Sequence, residues 1–267
     1  MYKNDHNIHT PGNNTVVWRY MDIEKFEDLV NRSAIHFTNI KDLGDPFEGS
    51  LPNALQESRI SGSSSNVRHS YYLLKKSGRI DKSISYEVFS ETMSVPSQFR
   101  YIHYVNCWHM GRYENYAIWK VYSKECKGIA IKTTIGRIIK SLEKTNLDVN
   151  IGKIKYLDYD KDLDAKEKIA LNSNMKLFTF RKINVFKYEK EIRLLVKYLP
   201  EFGIKVEKNK EGEKGIFVKC EIQKLINEVY INPFDKGELY DRVVNLCIRN
   251  NLQCIVRKSI MSREQIL

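Results

Sequence analysis

The residues best suited to chemistry lie late in the chain, where acidic and basic side chains recur at every second position as Glu189, Glu191 and Arg193. Side chains on a β-strand alternate between its two faces. The spacing therefore predicts that these three share one face, with Ile192 and Leu194 on the other. Two carboxylates beside a guanidinium can bind polar hydroxyls and stabilise developing positive charge. The structural alternative is an exposed strand face carrying ordinary ion pairs.

A second candidate lies in a turn-rich loop after an early strand, where the sequence reads Asp45, Pro46, Phe47, Glu48. Proline fixes the backbone, the phenyl ring can anchor the loop, and two acids flank them. Loops that follow strands commonly carry functional side chains. The alternative is a rigid turn with a capping aspartate.

Aromatic residues are dense from Tyr101 to Tyr122. The set comprises Tyr101, Tyr104, Trp108, Tyr113, Tyr116, Trp119 and Tyr122. Such rings could stack on a nicotinamide, an adenine or a nucleic-acid base, or they could supply buried core area.

The charge of the chain is strongly positive, with 44 Lys and Arg against 33 Asp and Glu, a net +11. The first 50 residues are acidic, so the excess lies beyond them. A basic body is typical of a protein with a nucleic-acid or other polyanionic partner, although lysine also serves solubility. No apolar run approaches twenty residues, which predicts no membrane span and favours a cytoplasmic protein. The five cysteines form no C-x-x-C pair, which argues against a structural zinc site.

Hydrophobic periodicity predicts short strands and helices in irregular alternation, without repeats. We therefore expect one α+β domain over residues 16–267, with a mixed or antiparallel sheet flanked by helices. A flexible arm is expected at residues 1–15 and a helical or loop insertion at about 51–100. The phosphate-binding, zinc-protease and serine-hydrolase motifs are absent from the sequence.

Several short motifs along the chain occur in an order that resembles a known family. They are Val17–Tyr20, Ile35–Thr38, Asp45–Glu48, Asn106–His109, Ala117–Tyr122, Gly128–Ile131 and Tyr188–Arg193. The resemblance is to the domain-of-unknown-function 2971 family and covers about residues 16 to 262. That family is bacterial, cytoplasmic and poorly characterised, and it looks enriched near mobile elements and defence loci.

The family's layout is in turn similar to that of ADP-ribosyltransferases of the Arg–Ser–Glu type, which have a split sheet. The resemblance implies that Arg19 pairs with a phosphate of NAD and that Thr38 holds a ribose or the catalytic glutamate. It implies that Glu191 binds the nicotinamide ribose and stabilises an oxocarbenium-like state, while Glu189 orients the acceptor. Which glutamate is catalytic stays open, and the second strand reads His-Phe-Thr-Asn where those enzymes have Ser-Thr-Ser. Within the same hypothesis, Arg193 and Trp119 complete the NAD-binding set.

The leading functional hypothesis is an NAD-dependent ADP-ribosyltransferase-like enzyme, a toxin or anti-phage effector. Its acceptor would be a nucleic acid or a nucleic-acid-associated protein, and an antitoxin or defence-system protein would be its partner. One alternative is a metal-dependent nuclease built on Asp45, Glu48 and Glu191, because hard divalent ions need converging carboxylates. Another is a non-catalytic nucleic-acid-binding module.

Overall fold

The computed structural model describes residues 1–45, 47–49, 68, 71–73, 75–77, 85–86, 100–123, 128–161, 163–198, 207–208 and 215–262. Most of the predicted insertion at 51–100 lies outside these residues. Twelve strands occur in the described part of the chain. They are β1 (Val16–Asp22), β2 (Ala34–Asn39), β3 (His103–Met110), β4 (Gly128–Thr134), β5 (Val149–Lys153), β6 (Lys155–Leu157), β7 (Arg181–Ile183), β8 (Glu191–Lys197), β9 (Glu207–Lys208), β10 (Ile216–Lys219), β11 (Glu228–Ile231) and β12 (Ile255–Lys258).

Ten of these strands form one sheet, with the order β12-β11-β4-β1-β3-β2-β10-β9 along its main path. β8 pairs with β3 and with β5, off that path. All pairings in the sheet are antiparallel except β11 with β12, and β6 and β7 form a separate parallel pair. The expectation of an α+β domain with a mostly antiparallel sheet flanked by helices is confirmed.

Six α-helices that lie wholly within the described residues accompany the sheet. They are α1 (Ile23–Arg32), α2 (Tyr116–Tyr122), α3 (Ile135–Ser141), α4 (Ala165–Ser173), α5 (Ile222–Leu225) and α6 (Glu238–Arg249). α1 is amphipathic and buries Ile23, Phe26, Leu29 and Val30. α2 begins at Tyr116, because the Asn115 side chain accepts hydrogen bonds from the N–H groups of Ala117 and Ile118 and caps the helix there.

The sheet has two unlike faces. Trp108, Ile192 and Leu194 lie on what we call the core face, where they pack with α1, α3 and α6 in the largest apolar cluster. The opposite surface, which we call the site face, carries Cys107 and Arg193 directly across from one another on β3 and β8. Two smaller apolar clusters also lie on the site face, so the polar groups between them are largely shielded from water.

The sheet is split along one edge of β3. β1 pairs with the end of β3 at His109 and Met110, whereas β2 pairs near its start at Tyr104 and Val105. Residues 106–108 pair with neither strand on that edge. The Asn106 side chain crosses the gap and donates to the His36 carbonyl at 2.8 Å. β1 and β2 are thus separated by a gap along this edge of β3, although both belong to the one ten-stranded sheet.

The N-terminal residues lie along β5. The Lys3 N–H donates to the Val149 carbonyl at 2.9 Å, and the Thr10 hydroxyl donates to the Ile151 carbonyl at 2.5 Å. Ile8 is buried in one of the site-face clusters. These contacts fix the arm against the sheet, in contrast to the flexible arm expected from its polar sequence.

Candidate functional site

The Glu-x-Glu-x-Arg segment begins with a bend. Asn184–Glu189 is a 3-10 helix, Lys190 has a left-handed backbone with φ 43°, and β8 starts only at Glu191. The prediction that Glu189 shares a regular strand face with Glu191 and Arg193 is therefore wrong. The bend nevertheless returns the Glu189 carboxylate to the same side, because both glutamates contact the ammonium group of Lys182.

Arg193 organises the centre of this cluster and is fully buried. Its Nε donates to Glu191 Oε1 at 2.7 Å, and Nη1 donates to the Thr179 carbonyl at 2.7 Å. Nη1 and Nη2 also contact the two carboxylate oxygens of Glu48. Its fork is thus occupied by protein groups, which corrects the expectation that Arg193 binds a cofactor. It is a positioning residue for the two glutamates it contacts.

Lys182 is a second cation in the cluster and is also buried. Its Nζ lies 2.7 Å from Glu189 Oε2 and 3.4 Å from Glu191 Oε2, and 3.9 Å from Glu48 Oε2. Three carboxylates therefore share two cations, Lys182 and Arg193. A buried cluster with one excess negative charge is well suited to attract a cationic group.

The two glutamates differ in their electrostatics. Burial opposes ionisation of Glu191, but Arg193 and Lys182 outweigh it and lower its pKa to about 2. Burial dominates for Glu189 and raises its pKa, although Lys182 acts in the opposite direction. Glu191 is therefore held as an anion, whereas the surroundings of Glu189 shift its carboxyl group towards the protonated form.

Glu189 binds a tyrosine whose ring is partly exposed to solvent. The Tyr122 hydroxyl donates to Glu189 Oε1 at 3.1 Å, and the Tyr122 ring is 45% exposed. The Glu191 N–H donates to the hydroxyl of the half-buried Tyr156 at 2.9 Å, and the Glu191 side chain itself is 4% exposed. A ligand approaching the site face would meet Tyr122 and Glu189 before it met Glu191.

Two residues of β3 bind the backbone at Glu189 and Lys190. His109 Nδ1 donates to the Glu189 carbonyl at 2.6 Å, and burial lowers the pKa of the imidazole. The Met110 N–H donates to the Lys190 carbonyl at 2.9 Å. β3 thus fixes the bend that presents the carboxylate.

Part of the chain is similar to a known protein family. Residues 118–194 match a family model described as a protein of unknown function, DUF2971. We call residues 118–194, which are similar to this family, the DUF2971 segment. The match confirms the family resemblance over this stretch, and no curated protein matches the chain.

The DUF2971 segment contains most of the cluster. Tyr122, Lys182, Glu189, Glu191 and Arg193 all fall inside residues 118–194. The remaining acid of the cluster comes from the loop after β2, outside the segment. Sequence reasoning missed Lys182 and Tyr156 as members, since neither lies in a recognisable motif.

The loop after β2 meets the DUF2971 segment through one side chain. Glu48 is 3% exposed and binds Arg193. It is the acid of the loop that reaches the cluster. Asp45 Oδ1 accepts the Phe47 N–H at 2.9 Å and shapes the turn. Phe47 is half exposed and lies edge-on to Tyr159 at 6.4 Å between ring centres. Asp45 and Phe47 thus shape the loop that delivers Glu48.

Arg19 lies on the other face of the sheet from the DUF2971 glutamates. Trp18 is opposite His109, and His109 is opposite Glu191, so these three share the site face. Alternation along β1 therefore directs Arg19 to the core face, where its guanidinium lies 6.0 Å from the centre of the Trp108 ring. Burial lowers the pKa of Arg19 to about 10. The expectation that Arg19 and Glu191 line one NAD cleft does not fit this register.

Thr38 and Trp119 have contrasting positions. Thr38 pairs with Val105, which pairs with Leu195, so Thr38 lies on the site face and is half-buried. Trp119 is 1% exposed, and its Nε1 donates to Glu114 at 3.0 Å. Its ring packs edge-on against Tyr20 in a site-face cluster, which corrects the expectation that it stacks on a cofactor.

The Cys107 thiol on the site face is not activated as a nucleophile. Burial and the nearby Glu191 charge raise the pKa of Cys107 well above its usual value, so the thiol stays protonated. Within the described residues no three His, Cys, Asp or Glu side chains are grouped to hold a metal ion. Glu48 and Glu191, two of the three acids in the nuclease hypothesis, instead bind Arg193 through their carboxylate oxygens.

No helix in the described ranges has the length and hydropathy to span a bilayer.

Proposed function

We propose that this chain is an NAD-dependent ADP-ribosyltransferase-like enzyme in which Glu189 meets the substrate and Glu191 is a positioning residue. The observation that carries the proposal is the unequal pair of glutamates. One is fixed as an anion by Arg193, and the other has a raised pKa and a partly exposed tyrosine partner. This division revises the roles suggested by the family resemblance, which gave ribose binding to Glu191.

The proposed reaction breaks the bond between the nicotinamide nitrogen and the ribose C1′ of NAD. Nicotinamide leaves with the bonding electron pair, and positive charge develops at the ribose. The excess negative charge of the Glu48, Glu189 and Glu191 cluster favours that charge. An acceptor oxygen or nitrogen then bonds to C1′, and the proton it loses passes to the Glu189 carboxylate.

Thr38 remains in the proposal as a residue on the site face that could contact the ribose, whereas Arg19 does not. Since Arg19 lies on the core face, the phosphates of NAD would need other partners. We further propose that the chain acts as a cytoplasmic toxin or anti-phage effector and that its partner is an antitoxin or a defence-system protein. In that setting, expression of the wild-type chain slows growth of a bacterial host and expression of Glu189→Gln does not.

The direct test is release of nicotinamide from NAD by the purified chain, with and without cell lysate as a source of acceptor. Glu189→Gln should abolish release while the circular dichroism spectrum is retained. Glu143→Gln is the matched control, because Glu143 is exposed and pairs with Lys224, which is not part of the glutamate cluster. Absence of NAD binding, together with absence of NAD-dependent labelling of any lysate component, overturns the proposal. Cleavage of RNA or DNA that needs a divalent ion and no NAD would instead select the nuclease.

A further inference from the structure

We propose that a basic groove beside β11 and β12 binds a single-stranded nucleic acid. The groove has a volume of about 990 Å³ and lies next to the residues that precede α2. Its cationic lining residues are Arg112, Lys132, Arg257 and Lys258, and its aromatic ones include Tyr113 and Tyr230. The groove is separate from the glutamate cluster described above.

The charges of the groove favour an anionic ligand. The four cations face two carboxylates, Glu114 and Glu228, which leaves two positive charges in excess. Glu228 is already engaged, because its oxygens bind Lys132 at 2.9 Å, Arg257 at 2.8 Å and the Tyr230 hydroxyl at 3.1 Å.

Glu114 is engaged in the same way. It accepts from Trp119 Nε1 at 3.0 Å, from the Ser259 hydroxyl at 2.6 Å and from the Ile260 N–H at 3.0 Å. Both acids of the groove are therefore committed to protein donors. Neither is free to neutralise the two remaining cations.

Arg112 and Lys258 are those cations, and both are exposed. Over the described residues their contacts are with aromatic rings: Arg112 lies 5.7 Å from the centre of the Tyr113 ring, and Lys258 lies 6.0 Å from that of Tyr240. Neither makes an ion pair with a carboxylate there. A chain of phosphates running through the groove would supply the missing anions.

An aromatic platform accompanies these charges. Tyr113 is 73% exposed, and its ring lies 5.7 Å from the guanidinium group of Arg112. Exposed rings next to cations bind unpaired bases by stacking, which paired bases within a duplex do not allow. This combination favours a single strand over a duplex and over an acidic polypeptide.

The groove and Glu189 lie at opposite ends of α2. Glu114 precedes the helix and lines the groove, and Tyr122 ends it and binds Glu189. Seven helical residues span roughly 10 Å. A bound strand would therefore pass near the glutamate cluster, which makes it the acceptor if the proposed transferase function holds; binding itself does not depend on NAD.

The test is fluorescence anisotropy without NAD, with labelled oligo-dT and oligo-U of about 16 nucleotides titrated over a salt series. The double variant R112A/K258A should bind about tenfold more weakly, and its salt slope should fall by about 0.7 for each lost phosphate contact. Y113A should also lose about tenfold in affinity through lost stacking. A preference for oligo-U or oligo-dT identifies which nucleic acid the groove takes.

Matched controls carry the same charge and ring changes elsewhere. K166A/R249A removes two exposed cations outside the groove, and Y101A removes a ring that is 57% exposed. Both controls should bind as the wild type does. Equal losses in the controls, equal binding of polyglutamate, or a preference for duplex overturns the proposal. If binding follows the prediction while NAD yields no nicotinamide, the groove stands and the transferase function fails.

Discussion

The carboxylate of Glu48 and the guanidinium of Arg193 meet as a buried two-point ion pair, although 145 residues separate them in the chain. Glu48 Oε2 lies 3.2 Å from Nη2, and its other oxygen contacts Nη1. The pair fastens the loop after β2 to the strand that carries the candidate site. It thereby couples the stability of the fold to the geometry of the two glutamates.

Removing one member of this pair should be strongly destabilising. Glu48→Gln leaves Arg193 buried with a weaker partner, and breaking a buried pair costs about 3–5 kcal/mol of unfolding free energy. Urea denaturation measures the change. The exposed pair of Lys3 and Asp148, 3.9 Å apart, is the control, and Asp148→Asn should cost less than about 1 kcal/mol. Similar small losses in both variants would contradict the structural role of Glu48.

Tyr122 should tune the ionisation of Glu189. Its hydroxyl donates to the carboxylate and favours the charged form, so Tyr122→Phe should raise the Glu189 pKa further. Carbon-13 NMR titration of labelled glutamate reads this without any assumption about activity. Tyr116→Phe is the matched control, because the Tyr116 ring packs against Phe234. An unchanged Glu189 titration in Tyr122→Phe would remove this tyrosine from the site.

Glu191 should contribute to stability at neutral pH and lose that contribution in acid. Its pKa in the fold is about 2, below the ordinary value of 4.5. The contribution is therefore fully present above pH 4.5 and declines as the pH falls from there towards 2. Glu189 acts with the opposite sign because its pKa is raised. The difference in unfolding free energy between wild type and Glu191→Gln, measured from pH 7 downwards, should shrink in acid; a constant difference would refute the assignment.

Gly152 lies on β5 directly opposite Arg193 and has no room for a side chain. A Cβ there would overlap Ile8 Cγ2 and lie 2.9 Å from Phe180 Cε1. Gly152→Ala should therefore destabilise the fold by about 1–3 kcal/mol through overpacking. Thermal unfolding measures the loss. Gly12→Ala should be near neutral, because no atom lies within 4 Å of its added methyl group; equal effects would show that packing against Ile8 is unimportant.

Local pattern predicted much of the fold. The short strands expected from periodicity include β1 and β4, since adjacent residues alone determine which side chains alternate. It could not identify the bend at Lys190, because the Met110 N–H that fixes the Lys190 carbonyl belongs to a distant strand. The predicted strand face therefore included Glu189, two residues before β8 starts at Glu191.

Only part of the candidate site was predicted, because the rest depends on contacts between residues that are distant in the sequence. The sequence placed Arg19 with Glu191 in one site, because only the pairing of β1 and β8 through His109 shows that Arg19 lies on the other face. Lys182 enters the cluster through packing of the short β7, which no local spacing encodes. Tertiary contacts, rather than propensity, determine both positions.

The place of β8 in the sheet has a consequence for biosynthesis. It pairs with β3 on one side and with β5 on the other, yet it begins only at Glu191. Until that residue has left the ribosome, those two strands keep open hydrogen-bonding edges and the central apolar row of the sheet is missing. Such late, non-local closure slows folding and exposes strand edges to other chains. The nascent protein should therefore depend on chaperones until translation has passed β8.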